Sequence, residues 1–347
     1  MLACMMFLGL EIIGLSQPCL PDGIQFTKQS QIDSFPIIYP YCTEIEGSVS
    51  IEGFNIQNLL GLNSIQSIGG QLSIHANYNL ESLNGLNNLQ TIAGNLLIRS
   101  NFAITNLNGL ENLSTVLGDI WLYNNTLQTL DGLSHLDSIG GTCRIVQSIE
   151  LQDIHGIGNL KFIGGSLEIL GNDSLADLQG FESLKVIGGH LEIYYNEKLV
   201  SLNGLDNVDS IGKYITIYGN YSLSTCAVGG ICRYIANPNG FIDINNNTQG
   251  CNSKEEVQEV CDTISIPENY LVKHWFIYPN PAYNKLTISV TNGREITSLN
   301  IYNQLGQKVV SVNKVNEPID ISSLRMGLYL VEFTLNGNSI RERIVKL

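Results

Sequence analysis

A glycine recurs at Gly61, Gly85, Gly109, Gly132, Gly156, Gly180 and Gly204, in steps of 24, 24, 23, 24, 24 and 24 residues. Self-similarity at a fixed period of this size marks an array of stacked units, and it constrains the fold before any other feature is considered. Each copy repeats its apolar positions. Leu62, Ile65, Ile68, Leu72, Ile74, Leu80 and Leu83 in one copy become Leu86, Leu89, Ile92, Leu96, Ile98, Ile104 and Leu107 in the next. Leu72-x-Ile74 alternates with polar neighbours, the pattern of a short strand with one buried face. One coil has nothing to bury these residues against, so the core exists only when each leucine sits on the leucine of the next coil.

The strand cores read Val49/Ile51, Leu72/Ile74, Leu96/Ile98, Ile120/Leu122, Cys143/Ile145, Leu167/Ile169, Leu191/Ile193, Ile215/Ile217 and Ile242/Ile244. Nine coils at roughly 4.8 Å per strand make a stack about 40 Å long. Gly pairs precede the strands (Gly69-Gly70, Gly140-Gly141, Gly164-Gly165, Gly188-Gly189), and a sharp corner with positive φ is expected there. Asn77, Asn101, Asn125, Asn172, Asn196 and Asn220 follow the strands. Inward amides at that point satisfy the backbone of adjacent coils, so we read them as an architectural ladder.

The pattern Gly-Leu-x-x-Leu-x-x-Ile-Gly-Gly-x-Leu-x-Ile-x-x-Asn-x-x-Leu-x-x-Leu resembles the receptor L-domain family over about residues 42–261. That resemblance implies a mainly β fold, a right-handed, leucine-rich-repeat-like β-solenoid, of the kind found in receptor ectodomains and bacterial surface proteins. The copy at 132–155 departs from the pattern: Cys143 replaces leucine, and Ser148 stands where asparagine recurs.

The charge balance is 18 basic against 32 acidic residues, net −14. Nucleic acid and anionic membrane surfaces both want a basic face and are not expected partners. Of eight cysteines, Cys19 and Cys42 flank the start of the solenoid, and Cys226, Cys232, Cys251 and Cys261 flank its end. Disulfide-stapled caps in an exported protein account for these positions. Cys19–Cys42 is the expected N-terminal bridge, whereas the last four allow three pairings. Cys143 falls in an inward column, as a buried free thiol.

Residues 1–16 are apolar and read as a signal peptide, with Gly14-x-Ser16 as its small-residue cleavage pattern; the first lysine is Lys28. No transmembrane span is expected in the mature chain. Residues 17–46 form an N-terminal cap with a short helix from Ser30 to Phe35, and the solenoid with its C-terminal cap runs over 47–261. Ser253 followed by Glu256 is a capping-box signature for a closing helix. Residues 262–274 read as a linker. From 275 to 347 the pattern changes to alternating strands: Lys285–Val290, Ser298–Tyr302, Lys308–Val312, Tyr329–Phe333 and Glu342–Lys346, a small β-sandwich. Tyr278-Pro279-Asn280-Pro281, Asn303-Gln-Leu-Gly-Gln307, Met326-Gly327-Leu328-Tyr329 and the closing Arg343-Ile-Val-Lys346 resemble the C-terminal sorting domain of bacterial type IX secretion substrates. The resemblance implies export across the outer membrane, the type IX machinery as a partner, and anchoring at the surface or release.

The sequence holds no nucleophile elbow, P-loop, H-E-x-x-H or dinucleotide fingerprint. Neither a metal nor a cofactor is expected. The outward strand positions do form two columns: Ser73, Leu97, Trp121, Arg144, Glu168, Glu192, Thr216, and His75, Arg99, Tyr123, Val146, Leu170, Tyr194, Tyr218. Aromatic residues with arginine on a regular wall are material for a ligand surface. The candidate contacts are Arg99, Trp121, Tyr123, Arg144, Glu168, Glu192, Tyr194 and Tyr218, and the unknown ligand is a protein or glycan. The competing structural reading is that aromatics favour strands and pack across coils. The leading expectation is a non-enzymatic surface binding or adhesion protein. The alternatives are a passive coat protein and a polysaccharide hydrolase using Glu168 and Glu192 as its carboxylate pair.

Overall fold

The computed structural model describes residues 18–263, 275–278, 282–290, 296–313, 315, 318–335 and 337–346. The expected signal peptide, most of the linker and Pro279–Pro281 of the sorting motif lie outside them.

From 18 to 245 the chain climbs through parallel strands that pair strictly with the coil before and the coil after. One wall is a ten-stranded parallel sheet. It holds the nine strands expected from the repeat and adds Ile24–Phe26, contributed by the N-terminal cap and paired with Val49–Ile51. A second sheet of nine two-residue strands runs alongside, from Pro18–Cys19 to Ser210–Ile211. Its members, such as Ser67–Ile68 and Ser138–Ile139, come from the residues just before the Gly pairs and the equivalent positions of the other coils. The pairing is in register throughout: Leu167, Ile169 and Leu170 face Leu191, Ile193 and Tyr194. Every apolar position aligned between the two copies above is buried, in one core cluster that runs the length of the stack.

The amide ladder is present. The backbone N–H of Asn172 donates to Oδ1 of Asn196 at 2.9 Å, and that of Asn196 to Oδ1 of Asn220 at 3.0 Å. The same side chains reach the previous coil, with Asn196 Nδ2 donating to the Ile169 carbonyl at 3.0 Å. Asn77, Asn101 and Asn125 repeat the arrangement, and Asn247 extends it by accepting from Asn220. A fully buried amide tolerates its environment only because each polar atom has a partner. At Ser148 the ladder is interrupted, and the Ser148 hydroxyl is buried with no partner.

The Gly pairs correct one expectation. Positive φ belongs to five of the seven glycines that open the copies, such as Gly85 at 116° and Gly204 at 108°, and not to the pairs; Gly61 and Gly156 sit instead in short 3-10 turns. The pairs are needed because adjacent coils touch there: a Cβ on Gly188 would lie 2.2 Å from the Gly164 carbonyl oxygen. No side chain fits in that gap, so the constraint is close approach and not backbone dihedral.

Helix α1 (Gln29–Ile38) covers the first coil, burying Ile32 and Phe35. It begins where the Gln31 side chain accepts from the backbone of Thr27 and Lys28. The far end is closed by α2 (Gly229–Ala236) and α3 (Lys254–Thr263). Half of the capping box at α3 is formed, with Glu256 N–H donating to Ser253 Oγ at 3.1 Å, while the Glu256 carboxylate accepts from the N–H groups of Gly250 and Asn252 and not from Ser253. Helix α2 was not anticipated, and it opens on two glycines, Gly229 and Gly230. The helix forms because Ile231, Cys232, Tyr234 and Ile235 all bury against the last coil.

The bridges are Cys19–Cys42, as expected, and Cys226–Cys251 and Cys232–Cys261, which selects one of the three open pairings. Their Cα atoms are 5.4–5.7 Å apart, within the range a disulfide spans. Cys143 is free, and burial pushes its thiol up to about 12.

Residues beyond 275 form two antiparallel sheets around a separate core that includes Leu286, Leu299, Ile301, Val331, Phe333 and Ile344. One sheet pairs Trp275–Tyr278, Lys285–Val290 and Ile319–Asp320. The other pairs Lys308–Val312, Ile296–Tyr302, Gly327–Leu335 and Asn338–Lys346. The expected turn at Asn303–Gly306 is held by Asn303 Oδ1, which accepts from the N–H groups of Leu305 and Gln307 at 3.0 Å. Among the described residues, no helix is long and apolar enough to cross a membrane.

Candidate functional site on the long sheet

Strand alternation turns Leu96, Ile98, Ile120 and Leu122 inward, so Leu97, Arg99, Trp121 and Tyr123 must face outward. Trp121 and Tyr123 are each 39% exposed, and the Arg144 guanidinium lies 4.8 Å from the Trp121 ring centroid. Arg144 is fixed from its other side: Nε and Nη2 reach Glu168 Oε2 and Oε1 at 2.5 and 3.0 Å. That bidentate carboxylate pair holds the guanidinium above its usual pKa.

Glu168 was expected on a solvated face. It is instead 6% exposed, because Arg144 lies across it on one side and His190 closes in on the other at 3.4 Å. Glu192 lies one coil further on. It accepts a hydrogen bond from Tyr214 Oη at 2.9 Å and lies 3.7 Å from His190. His190 stacks on Tyr214 at 4.5 Å, and Tyr214 stacks on Phe241 at 4.4 Å. Burial and the Glu192 contact push the Tyr214 hydroxyl up to about 12. Glu168, His190 and Glu192 bring ligand atoms within 4.8 Å of one another, a spacing a cation accepts. Both Glu168 oxygens are already bonded to Arg144, so a metal would have to displace an ion pair to enter.

Arg99 is exposed and meets His75 at 2.9 Å, with His75 in turn 3.5 Å from Glu52. Tyr194 and Tyr218 pair edge to face at 6.4 Å, and burial raises the Tyr194 hydroxyl. The eight candidates therefore fall into three groups along one wall. Arg99 with Tyr123 and Trp121 with Arg144–Glu168 are adjacent, Glu192 continues the second group through His190, and the tyrosine pair stands beyond.

A further set was not legible from strand alternation. Just past each strand the chain turns through a residue with positive φ, among them Gln147, Gly171, Tyr195 and Gly219. Two residues on, beyond the buried ladder position, an exposed side chain follows: Tyr78, Phe102, Ile149 and Tyr221 are the large ones. Tyr78 and Phe102 stack at 5.7 Å and 7°. These residues sit on turns, where the period-two rule has no force; their recurrence three residues past each strand was the available signal.

In the sorting domain, Tyr329 is buried with its hydroxyl donating to the Arg325 carbonyl at 2.8 Å, and Gly327 has φ of 148°. Lys346 is buried with its ammonium 5.2 Å from the Tyr283 ring, and burial lowers its pKa. Tyr278 is not at the free edge of its domain. It packs on Val186 and Phe162 of the short-strand sheet, in the space above Gly164 that a side chain would fill.

Comparison with known proteins gives the class. Residues 41–113 match the receptor L domain, and residues 276–347 match the secretion system C-terminal sorting domain. The chain thus carries a receptor L domain and a sorting domain of type IX secretion, which makes it an exported protein, at the cell surface or secreted, and a client of that secretion machinery. It is also similar to beta-agarase D of Zobellia galactanivorans, 29% identical over 101 residues. That match covers 28% of this chain and only 20% of that protein.

Proposed function

We propose that the exported chain is a non-enzymatic recognition or adhesion module, whose ligand, a protein or a glycan, meets the long sheet around Trp121 and Tyr123. The observation that carries this reading is the preset anchor. Arg144 is locked by Glu168 beneath Trp121, so an exposed aromatic is held rigid before any ligand arrives. Rigid aromatics lose little conformational entropy on binding, which is why they dominate interface energetics. The purified mature chain, applied to protein and glycan arrays, should be retained by at least one ligand class. Trp121→Ala with Tyr123→Ala should lower that signal at least ten-fold. Retention by no protein or glycan at all would leave a passive coat as the better reading.

The similarity to an agarase favours a second reading, polysaccharide hydrolysis by Glu168 and Glu192. Against it, neither carboxylate is free: Arg144 holds the first, and Tyr214 with His190 holds the second. Release of reducing ends from polysaccharide that is lost in Glu168→Gln/Glu192→Gln would reverse this preference.

A further inference from the structure

The turn edge beside the long sheet carries a groove of about 520 Å³. Its shape follows from the sequence of the turns. The tip positions from Phe102 to Tyr221 hold Thr126, Ile149, Asp173 and Glu197, and the positive-φ positions hold Asn124, Gln147, Gly171, Tyr195 and Gly219, so the ridge dips beside Gly171, where the tip carries the short Asp173. At Gly171 the space is open, with only Gln147 Cγ near, 3.6 Å from where a Cβ would be. At Gly219 it is occupied: the Tyr195 ring lies across the glycine, 2.7 Å from an ideal Cβ. Tyr195 is further held by Tyr218, edge to face at 5.5 Å. It is nonetheless 53% exposed, Tyr221 66% and Phe102 49%. The groove therefore runs between aromatic faces at both ends, spanning five coil steps or about 24 Å.

Its polar lining is one-sided. Glu150, Asp173 and Glu197 contribute carboxylates, Asn124 and Gln147 contribute amides, and no lysine or arginine lines it. Among the described residues, none of the three carboxylates forms an ion pair. Carboxylates accept hydrogen bonds from hydroxyl donors and repel anions. Exposed aromatic rings offer flat apolar faces at positions fixed by the coil repeat. A flat ligand with apolar faces, hydroxyl edges, no charge and a repeating length meets all these conditions.

We propose that this groove binds a neutral polysaccharide chain laid along the stacking direction, with Tyr195 and Tyr221 as its stacking platforms. This deepens the recognition reading and shares its premise that the exported solenoid holds a ligand. It concerns a different face from Trp121 and Tyr123, so the two fail separately.

The test uses the mature chain in affinity electrophoresis through soluble β-glucan, galactan and mannan, with a carboxylated polyuronate as the anionic control. At least one neutral polymer should retard the protein, and the polyuronate should not. Tyr195→Ala with Tyr221→Ala should weaken the retarding interaction at least ten-fold; Ala76 already occupies the equivalent turn position at φ of 54°, so the backbone accepts the first change. Gly171→Trp, which fills the dip and leaves both tyrosines in place, should weaken it similarly, with an unchanged circular dichroism spectrum confirming the fold; Tyr195 shows that the equivalent turn holds an aromatic residue at φ of 53°. Ile37→Ala, an exposed apolar residue of helix α1 that does not line the groove, should leave it within two-fold. Retardation by no neutral polymer, or preference for the polyuronate, overturns the proposal. Loss in the Trp121/Tyr123 variant but not in the groove variants also overturns it, while keeping the recognition reading.

Discussion

The coil around Asn196 and the coil around Ser148 are built on the same template and differ at the buried ladder position. At Asn196, one side chain accepts from the Asn172 backbone and donates both to Ile169 and to Asn220. At Ser148, the backbone N–H still donates to Asn172 at 3.1 Å, but the hydroxyl reaches nothing. The Ser148 coil is then tied by Asn172 to the coil after it, while its own side chain offers nothing to the coil before it. The difference separates two contributions to the stack. Apolar columns supply the bulk of the burial, and the amide ladder supplies the polar matching that keeps each turn from costing desolvation.

The largest effect should come from removing a rung. Asn196→Ala orphans the Asn172 N–H in a buried turn, at about 2 kcal/mol, and removes the side-chain bonds to the Ile169 carbonyl and to Asn220 Oδ1, at about 1 kcal/mol each, for a loss of about 4 kcal/mol. Urea unfolding measures it, and a loss below about 1 kcal/mol would mean the ladder is decorative. The ends of the stack are held differently. Cys232→Ser with Cys261→Ser opens a loop of 29 residues, and about 3 kcal/mol is expected on the chain-entropy account. A similar loss on mutating the free Cys143 to Ser would erase the contrast between ends and middle.

Much of this was legible in the repeat. The apolar columns, the inward amides, the nine strands and the Cys19–Cys42 staple all follow from position within the period. The burial of Glu168 did not, since it depends on Arg144 and His190 arriving from the coils on either side. Alternation says which way a side chain leaves the strand and not what lies over it. The Gly pairs were read for the wrong constraint for the same reason: a close approach between coils leaves the same residue type as a positive φ. The aromatic groove was missed because it is built on turns, and helix α2 because burial overrode its glycines.

A smaller effect is expected on the wall. Glu168→Gln removes the charge that balances Arg144, which is itself partly solvated, so about 2 kcal/mol should be lost rather than the larger figure of a fully buried pair. Loss of arginine order beneath Trp121 should accompany it, read as a change in tryptophan fluorescence. The smallest change is a gain. Ser148→Asn should complete the ladder and stabilise the chain by about 1 kcal/mol. Thermal unfolding shows it, and a lower midpoint would indicate that the Ser148 turn cannot accept an amide.

Site-resolved amide hydrogen exchange on the native mature chain tests the stack most directly. The backbone N–H groups of Asn172 and Asn196, each bonded to an asparagine side chain of the next coil, should exchange only through global unfolding. The N–H of Asn125, which meets Ser148 where the others meet an amide, should exchange faster by at least ten-fold. Equal protection at all three, or rapid exchange at Asn172 and Asn196, would contradict a rod whose coils are tied together by their own asparagines.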